Sequence, residues 1–243
     1  QVAVLVDEAH NLIERGRAMY SAELQLDAVR TIKKSAPALL KKSLNRIERL
    51  WRELQDAQND DYRADESLPR SLISALQHFV SAAGDYFADN PTLIEPQLQS
   101  LYFDAMHFGR IAETFGEHSL FDLTKRQPQQ RATSTICIRN LVPAPFLAPR
   151  FAQARSAILF SATLQPQQFY RDLLGLPEDT AWIDVDSPFS AAQLRVVFAD
   201  HISTRYTQRS ASLQPIAQLM RAQFETTRGN YLAFFSSFAY LEQ

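Results

Sequence analysis

The sequence predicts an α/β protein interrupted by a large all-helical insertion. Three observations carry that reading. The chain opens on a nearly continuous, mostly β-branched apolar run, Val2 to Val6, as expected of a strand buried on both faces of a parallel sheet. From about Leu24 to about Thr124 apolar residues recur at helical spacing, with no period-2 segment. After Pro128, short apolar runs alternate with helical segments, which is the order of an α/β sheet.

Taken in order, the opening strand ends at Asp7. In the helical block, Pro37 stands where a first-turn proline is tolerated, with Ser35 before it as a candidate cap. Leu40, Leu44, Ile47, Leu50 and Leu54 follow at steps of three or four, an amphipathic stripe about five turns long. Pro69 opens a second helix carrying Leu72, Ile73, Leu76, Phe79, Ala83 and Phe87; Pro91 and Pro96 bracket the start of a third, carrying Leu98, Leu101, Ala105, Phe108, Ile111 and Phe115. Gln58 to Ser67, acidic and polar, reads as the loop joining the first two. Thr133 to Arg139 alternates and is β-branched, and Ser156 to Phe160 is a short apolar strand. Trp182 to Val185, Leu194 to Phe198 and Tyr231 to Phe235 are further strand candidates, and Pro215 to Thr226 is an amphipathic helix. Every Lys precedes Gln127, and every positive charge from Arg131 onward is Arg. The expected segments are 1–23, 24–128, 129–185 and 186–243, and the abrupt opening and close predict a piece of a longer protein.

Composition narrows the function classes. The 243 residues are 46% hydrophobic and 21% charged, with a net charge of −2, so nucleic-acid contact would have to be a local patch. Cys137 is the one cysteine, which excludes an internal disulfide framework and any thiolate-ligated metal site built from this chain alone. Tyr231 to Phe235 is too short to cross a bilayer, and no basic residue precedes the opening apolar run as in a secretory leader. The expected location is the cytoplasm, with nucleoid association in a bacterium and no membrane partner.

The chemistry concentrates at two strand ends. Asp7, Glu8, Ala9 and His10 directly follow the first strand, where α/β sheets place ligands. Asp7 would hold Mg²⁺ through water, because a hard cation takes carboxylate oxygen. Glu8 would orient and deprotonate the water that attacks a γ-phosphate, and His10 would hydrogen-bond a second element. The plain alternative is a solvated acidic turn. Ser161, Ala162, Thr163 and Leu164 follow the strand Ala157 to Phe160. If the two strands are neighbours, Ser161 or Thr163 would meet His10; otherwise the hydroxyls cap a helix. No glycine flanks Ser161 as in a nucleophile elbow, which argues against a serine hydrolase.

DEAH after an apolar strand, a helical insertion and then SATL resembles the superfamily 2 DNA helicases related to XPD and bacterial DinG. Ser187-Pro188-Phe189, and Gly229-Asn230-Tyr231 leading into Phe234-Phe235-Ser236-Ser237-Phe238, match later blocks of that family. The resemblance implies pieces of RecA-like motor domains, with DEAH as Walker B and Ser161-Ala162-Thr163 coupling ATP hydrolysis to strand separation. It also implies a helical arch closing over DNA, with FFSSF in the second motor domain. ATP and Mg²⁺ are the implied cofactors, and single-stranded or forked DNA the implied partner, with 5′-to-3′ translocation and a role in DNA repair. SATL and FFSSF stand nearest the bacterial branch. The G-x-x-x-x-G-K-[ST] loop is absent, since no glycine has another five residues on, so these residues alone are expected not to hydrolyse ATP. The 4Fe–4S cluster of XPD-like members would lie outside them, its cysteines preceding DEAH in the family.

For DNA contact, charge points to Lys33, Lys34, Lys41, Lys42, Arg46, Arg49 and Arg52, opposed only by Glu48; the alternative is the solvated face of a helix. Arg205 and Arg209, near Tyr206, are a second candidate. Tyr86, Phe87, Tyr102 and Phe103 sit at helical spacing and read as core before they read as base-stacking rings. His78, His107 and His118 lack metal-ligand spacing, and Cys137 reads as a small buried residue. The competing function is a non-enzymatic helical module that binds protein or nucleic acid.

Overall fold

The computed structural model describes residues 2–92, 95–126 and 133–243. The chain divides into two compact units, Gln1–Trp182 and Ile183–Gln243. The expected boundary at 128/129, with Pro128 and Arg131, lies outside the described residues.

In the first unit, β1 (Ala3–Val6) passes through a 3-10 turn, Ala9–Asn11, into α1 (Leu12–Met19) and β2 (Ala22–Gln25). Next come α2 (Leu26–Ser35), α3 (Ala38–Asp56), β3 (Tyr62–Asp65), α4 (Arg70–Asp89) and α5 (Pro96–Glu113). β4 (Ser119–Arg126), β5 (Thr133–Asn140), α6 (Ala144–Gln153), β6 (Ser156–Leu159) and α7 (Gln167–Leu174) complete it. β1 and β6 form a 2-stranded parallel sheet, while β2-β5-β4-β3 form a 4-stranded antiparallel one.

The core belongs to the helices and the antiparallel sheet. Leu40, Leu44, Ile47 and Trp51 of α3, Phe79 of α4 and Phe108 of α5 join Phe121, Leu123, Ile136 and Ile138 in one hydrophobic cluster. Apolar residues at period 2 on β4 and β5 supply the sheet side, as a half-buried sheet requires. Trp51 donates its indole Nε1–H to Ser134 Oγ at 2.8 Å, tying α3 to β5 inside this core. Burial, and then the charge of Asp122, push the Cys137 thiol up to about 11, consistent with a buried residue of β5.

Four expectations are corrected. The insertion is not all-helical: β2, β3 and β4 fall in or at the edge of residues 24–128 and pair into the antiparallel sheet, because Phe121 and Leu123 need a strand to face the core together. The 58–67 loop contains β3. The opening strand is not buried on both faces: Leu5 is 69% and its neighbour Ile158 56% exposed, while Val4 and Val6, on the other face, are half-buried. Ser35 closes α2, and Pro37 occupies the cap position of α3.

The second unit contains α8 (Arg209–Thr226) and α9 (Phe238–Leu241), with 3-10 turns at Ala191–Gln193 and Tyr206–Gln208. The helix expected over 215–226 is present and begins earlier. Its faces, however, are largely exposed, with Ser212 its buried residue. Among the described residues no strand forms at 182–185, 194–198 or 231–235. A strand needs a neighbour to take its N–H and C=O groups, and these runs have none; Phe198 and Phe234 are 86% and 90% exposed.

Candidate functional site

The parallel ladder sets Val6 opposite Leu159 and continues past both strands. Phe160 N–H donates to Val6 O at 3.0 Å, and Ala9 N–H donates to Phe160 O at 3.1 Å. The acidic turn is thereby fastened to the residue before Ser161. Two segments far apart in sequence meet at the carboxyl ends of adjacent parallel strands, where ligands of open α/β sheets bind.

Glu8 takes a left-handed backbone conformation, φ 50 and ψ 44, which is unusual for a residue with a side chain and concentrates at functional turns. The conformation is held locally: Glu8 N–H donates to Asp7 Oδ1 at 2.8 Å, and Glu8 O accepts from Asn11 N–H at 2.9 Å. It turns the Glu8 carboxylate toward His10 and Ser161. His10 Nδ1 lies 2.7 Å from Ser161 Oγ and 3.2 Å from Glu8 Oε2, and Ser161 Oγ lies 3.4 Å from the same Oε2.

One proton arrangement satisfies all three groups. His10 Nδ1–H donates to Ser161 Oγ, and the Ser161 hydroxyl donates to Glu8. A bare Nδ1 would instead face the carboxylate lone pairs. The same geometry disqualifies a catalytic triad, in which serine and carboxylate engage opposite ring nitrogens. Here both lie on Nδ1, so Ser161 is not an activated nucleophile. Ala162 and Thr163 are exposed, and of the two hydroxyls it is Ser161 that reaches His10. Nor does Ser161 cap a helix: Pro166 precedes α7.

The basic residues separate into two sets. Glu48, 4% exposed, accepts from Arg30 Nε at 3.2 Å and also pairs with Lys33 and Arg52. Burial by itself raises the Glu48 carboxyl, but hydrogen bonds from Lys33 and Arg30, with the charges of Arg52 and Lys33, hold it below its ordinary value. Lys33 and Arg52 are therefore tied to a buried carboxylate. Lys34, Lys41, Lys42 and Arg46 are exposed. The place of Glu48, four residues after Leu44 and three before Trp51, puts this carboxylate on the apolar stripe.

In the second unit Arg205 is exposed. Arg209 donates to Ser236 Oγ at 2.9 Å and Ser237 Oγ at 3.3 Å, and its guanidinium lies 5.1 Å from the ring centres of Tyr206 and Tyr240. Arg209 thus links the start of α8 to the FFSSF block. Tyr86, Phe87 and Tyr102 pack against the core cluster, whereas Phe103 is 50% exposed. No helix among the described residues is long and apolar enough to cross a membrane. The chain matches no known protein-family profile and no curated protein.

Proposed function

We propose that these residues are the part of an XPD/DinG-like, ATP-dependent DNA helicase that runs from its Walker B strand into its second motor domain. The observation that carries the reading is the Glu8–His10–Ser161 contact across parallel strands β1 and β6. A helicase of this kind needs its hydrolytic carboxylate in touch with the turn that reports nucleotide state, and this contact supplies the connection.

Among the described residues no group of three or more His, Cys, Asp or Glu could hold a metal ion. That donor set does not make a protein cage, but it fits Mg²⁺, which is usually held by one or two carboxylates together with substrate phosphates. Asp7 is the carboxylate offered. Bound with ATP, the ion would neutralise charge developing on the phosphates. Glu8 Oε2 is engaged by His10 and Ser161, leaving Oε1 to orient a water and take its proton. His10 and Ser161 hold that carboxylate in place, so a shift of the Ser161 turn moves the base. The substrate is single-stranded or forked DNA, and the phosphate loop must come from residues other than these.

In a protein that joins these residues to such a loop, Glu8→Gln should lower ATP turnover by about 100-fold or more and leave single-strand affinity within a few-fold. Undiminished turnover removes Glu8 from the mechanism. A non-enzymatic interaction module is the second reading. One observation favours it: the hydrophobic cluster closes without any residue of β1 or β6.

A further inference from the structure

A cavity of about 520 Å³ opens where the end of α1, the last turn of α5 and α6 meet. Its wall includes Tyr20, Ile111 and Phe146, its polar lining includes Arg110 and Arg150, and no carboxylate lines it. Among the described residues neither guanidinium group joins an ion pair: the Arg110 contact is a long one, 3.9 Å to Met106 Sδ, and both side chains are exposed. Nearby Arg17 differs, being held by Glu14 at 2.6 Å and by Leu141 O at 2.9 Å.

The aromatic wall is pre-stacked. Tyr20 and Phe146 lie with centroids 4.0 Å apart and planes within 13°, and Phe146 and His118 with centroids 4.8 Å apart and planes within 15°. Phe146 is therefore covered on both faces. Tyr20 ends the column on the cavity wall, and its other face carries no ring among the described residues. Tyr20 and Phe146 both line the cavity, so a planar ring entering it meets aromatic side chains that are already ordered by stacking. Base–aromatic stacking contributes about 1–3 kcal/mol per base, and exposed guanidinium groups match phosphate oxygens in geometry and charge.

We propose that this cavity takes one nucleotide of single-stranded nucleic acid, its base on Tyr20 and its flanking phosphates on Arg110 and Arg150. The assignment deepens the helicase reading and rests on it for the choice of a strand over a free nucleotide. The volume falls in the range of about 300–1,000 Å³ usual for small-ligand sites, room enough for one nucleotide.

The test uses the full chain and a thymidine oligonucleotide with 2-aminopurine at one position, a base whose fluorescence is quenched by stacking. The unmodified chain and Tyr20→Phe should both bind and quench. Tyr20→Leu should bind about 5- to 100-fold more weakly, the range of one lost stacking contact, and should lose the quench. Arg110→Gln with Arg150→Gln should weaken binding while keeping the quench at saturation. If Tyr20→Leu, with an unchanged circular dichroism spectrum, and the double arginine variant both bind as tightly as the unmodified chain, the cavity assignment falls while the nucleic-acid reading stands. If the unmodified chain binds no oligonucleotide, the nucleic-acid reading falls and takes the cavity with it. Tighter binding of deoxyadenosine monophosphate than of the oligonucleotide overturns the strand as occupant.

Discussion

Glu48 and Glu8 are both carboxylates in contact with basic or hydroxyl groups, yet they answer to different physics. Glu48 is almost sealed from water and shared among Arg30, Lys33 and Arg52. Removing its charge takes a buried carboxylate from Arg30, whose side chain is 10% exposed and which also meets Asp27 Oδ1 at 3.4 Å. Breaking a buried pair from one side costs about 3–5 kcal/mol, and because Arg52 is 54% exposed the lower end applies. Glu48→Gln should lower unfolding free energy by about 3 kcal/mol in urea titrations. The folded-state pKa lies below the unfolded one, so this stabilisation is complete above the unfolded value and disappears as pH falls through the folded value. The unmodified chain should lose stability on acidification below about pH 4.3, and Glu48→Gln should show a shallower decline there. Equal slopes would mean that Glu48 is not the group responsible. Glu8, by contrast, is exposed, and its strain is in the backbone. Its importance lies in what it faces, not in what it stabilises.

Between elements, the Trp51–Ser134 bond is the polar tie inside an otherwise apolar contact. Both residues are fully buried, so Ser134→Ala leaves an indole N–H with no partner and should cost about 1–3 kcal/mol, read as a lowered urea midpoint. A neutral result would show that the packing shifts to admit a substitute acceptor. The same contact shows which elements sequence alone reveals. α3, α4 and α5 are long enough for several repeats of the helical period, and their stripes face the core, most residues buried and Leu50, Leu54, Ile73, Phe87 and Phe115 half-buried against it. β2 and β3 have four residues each, too few for alternation to stand out, and β3 is mostly exposed. β4 hides its period because Asp122, between Phe121 and Leu123, is itself buried and paired with Arg139 Nε at 2.8 Å. The strand-end site was legible because its residues are contiguous in two short motifs. The Tyr20–Phe146–His118 column was not, since its rings come from three separated segments.

At the scale of the whole molecule, the two units differ in how their sequences are spent. The first closes a core of helices on an antiparallel sheet, and its parallel ribbon stands outside that core. The second has one long helix and buries little beyond Ser212 and Tyr240, with strand-like runs left open to solvent. The clasp around Glu48 has a further consequence at this scale, for the ions that surround a bound strand. Of the seven candidate DNA-contact cations on α2 and α3, Lys33 and Arg52 are neutralised from within, and Arg49 lies 3.9 Å from Glu53. A single-stranded polyanion on this face would displace counterions for about four contacts, a slope of log affinity on log salt near −3, where seven would give about −5. Lys41→Gln should flatten that slope by about 0.7 and Lys33→Gln should leave it unchanged. Much of the positive charge on this face is thus already spoken for before any phosphate arrives.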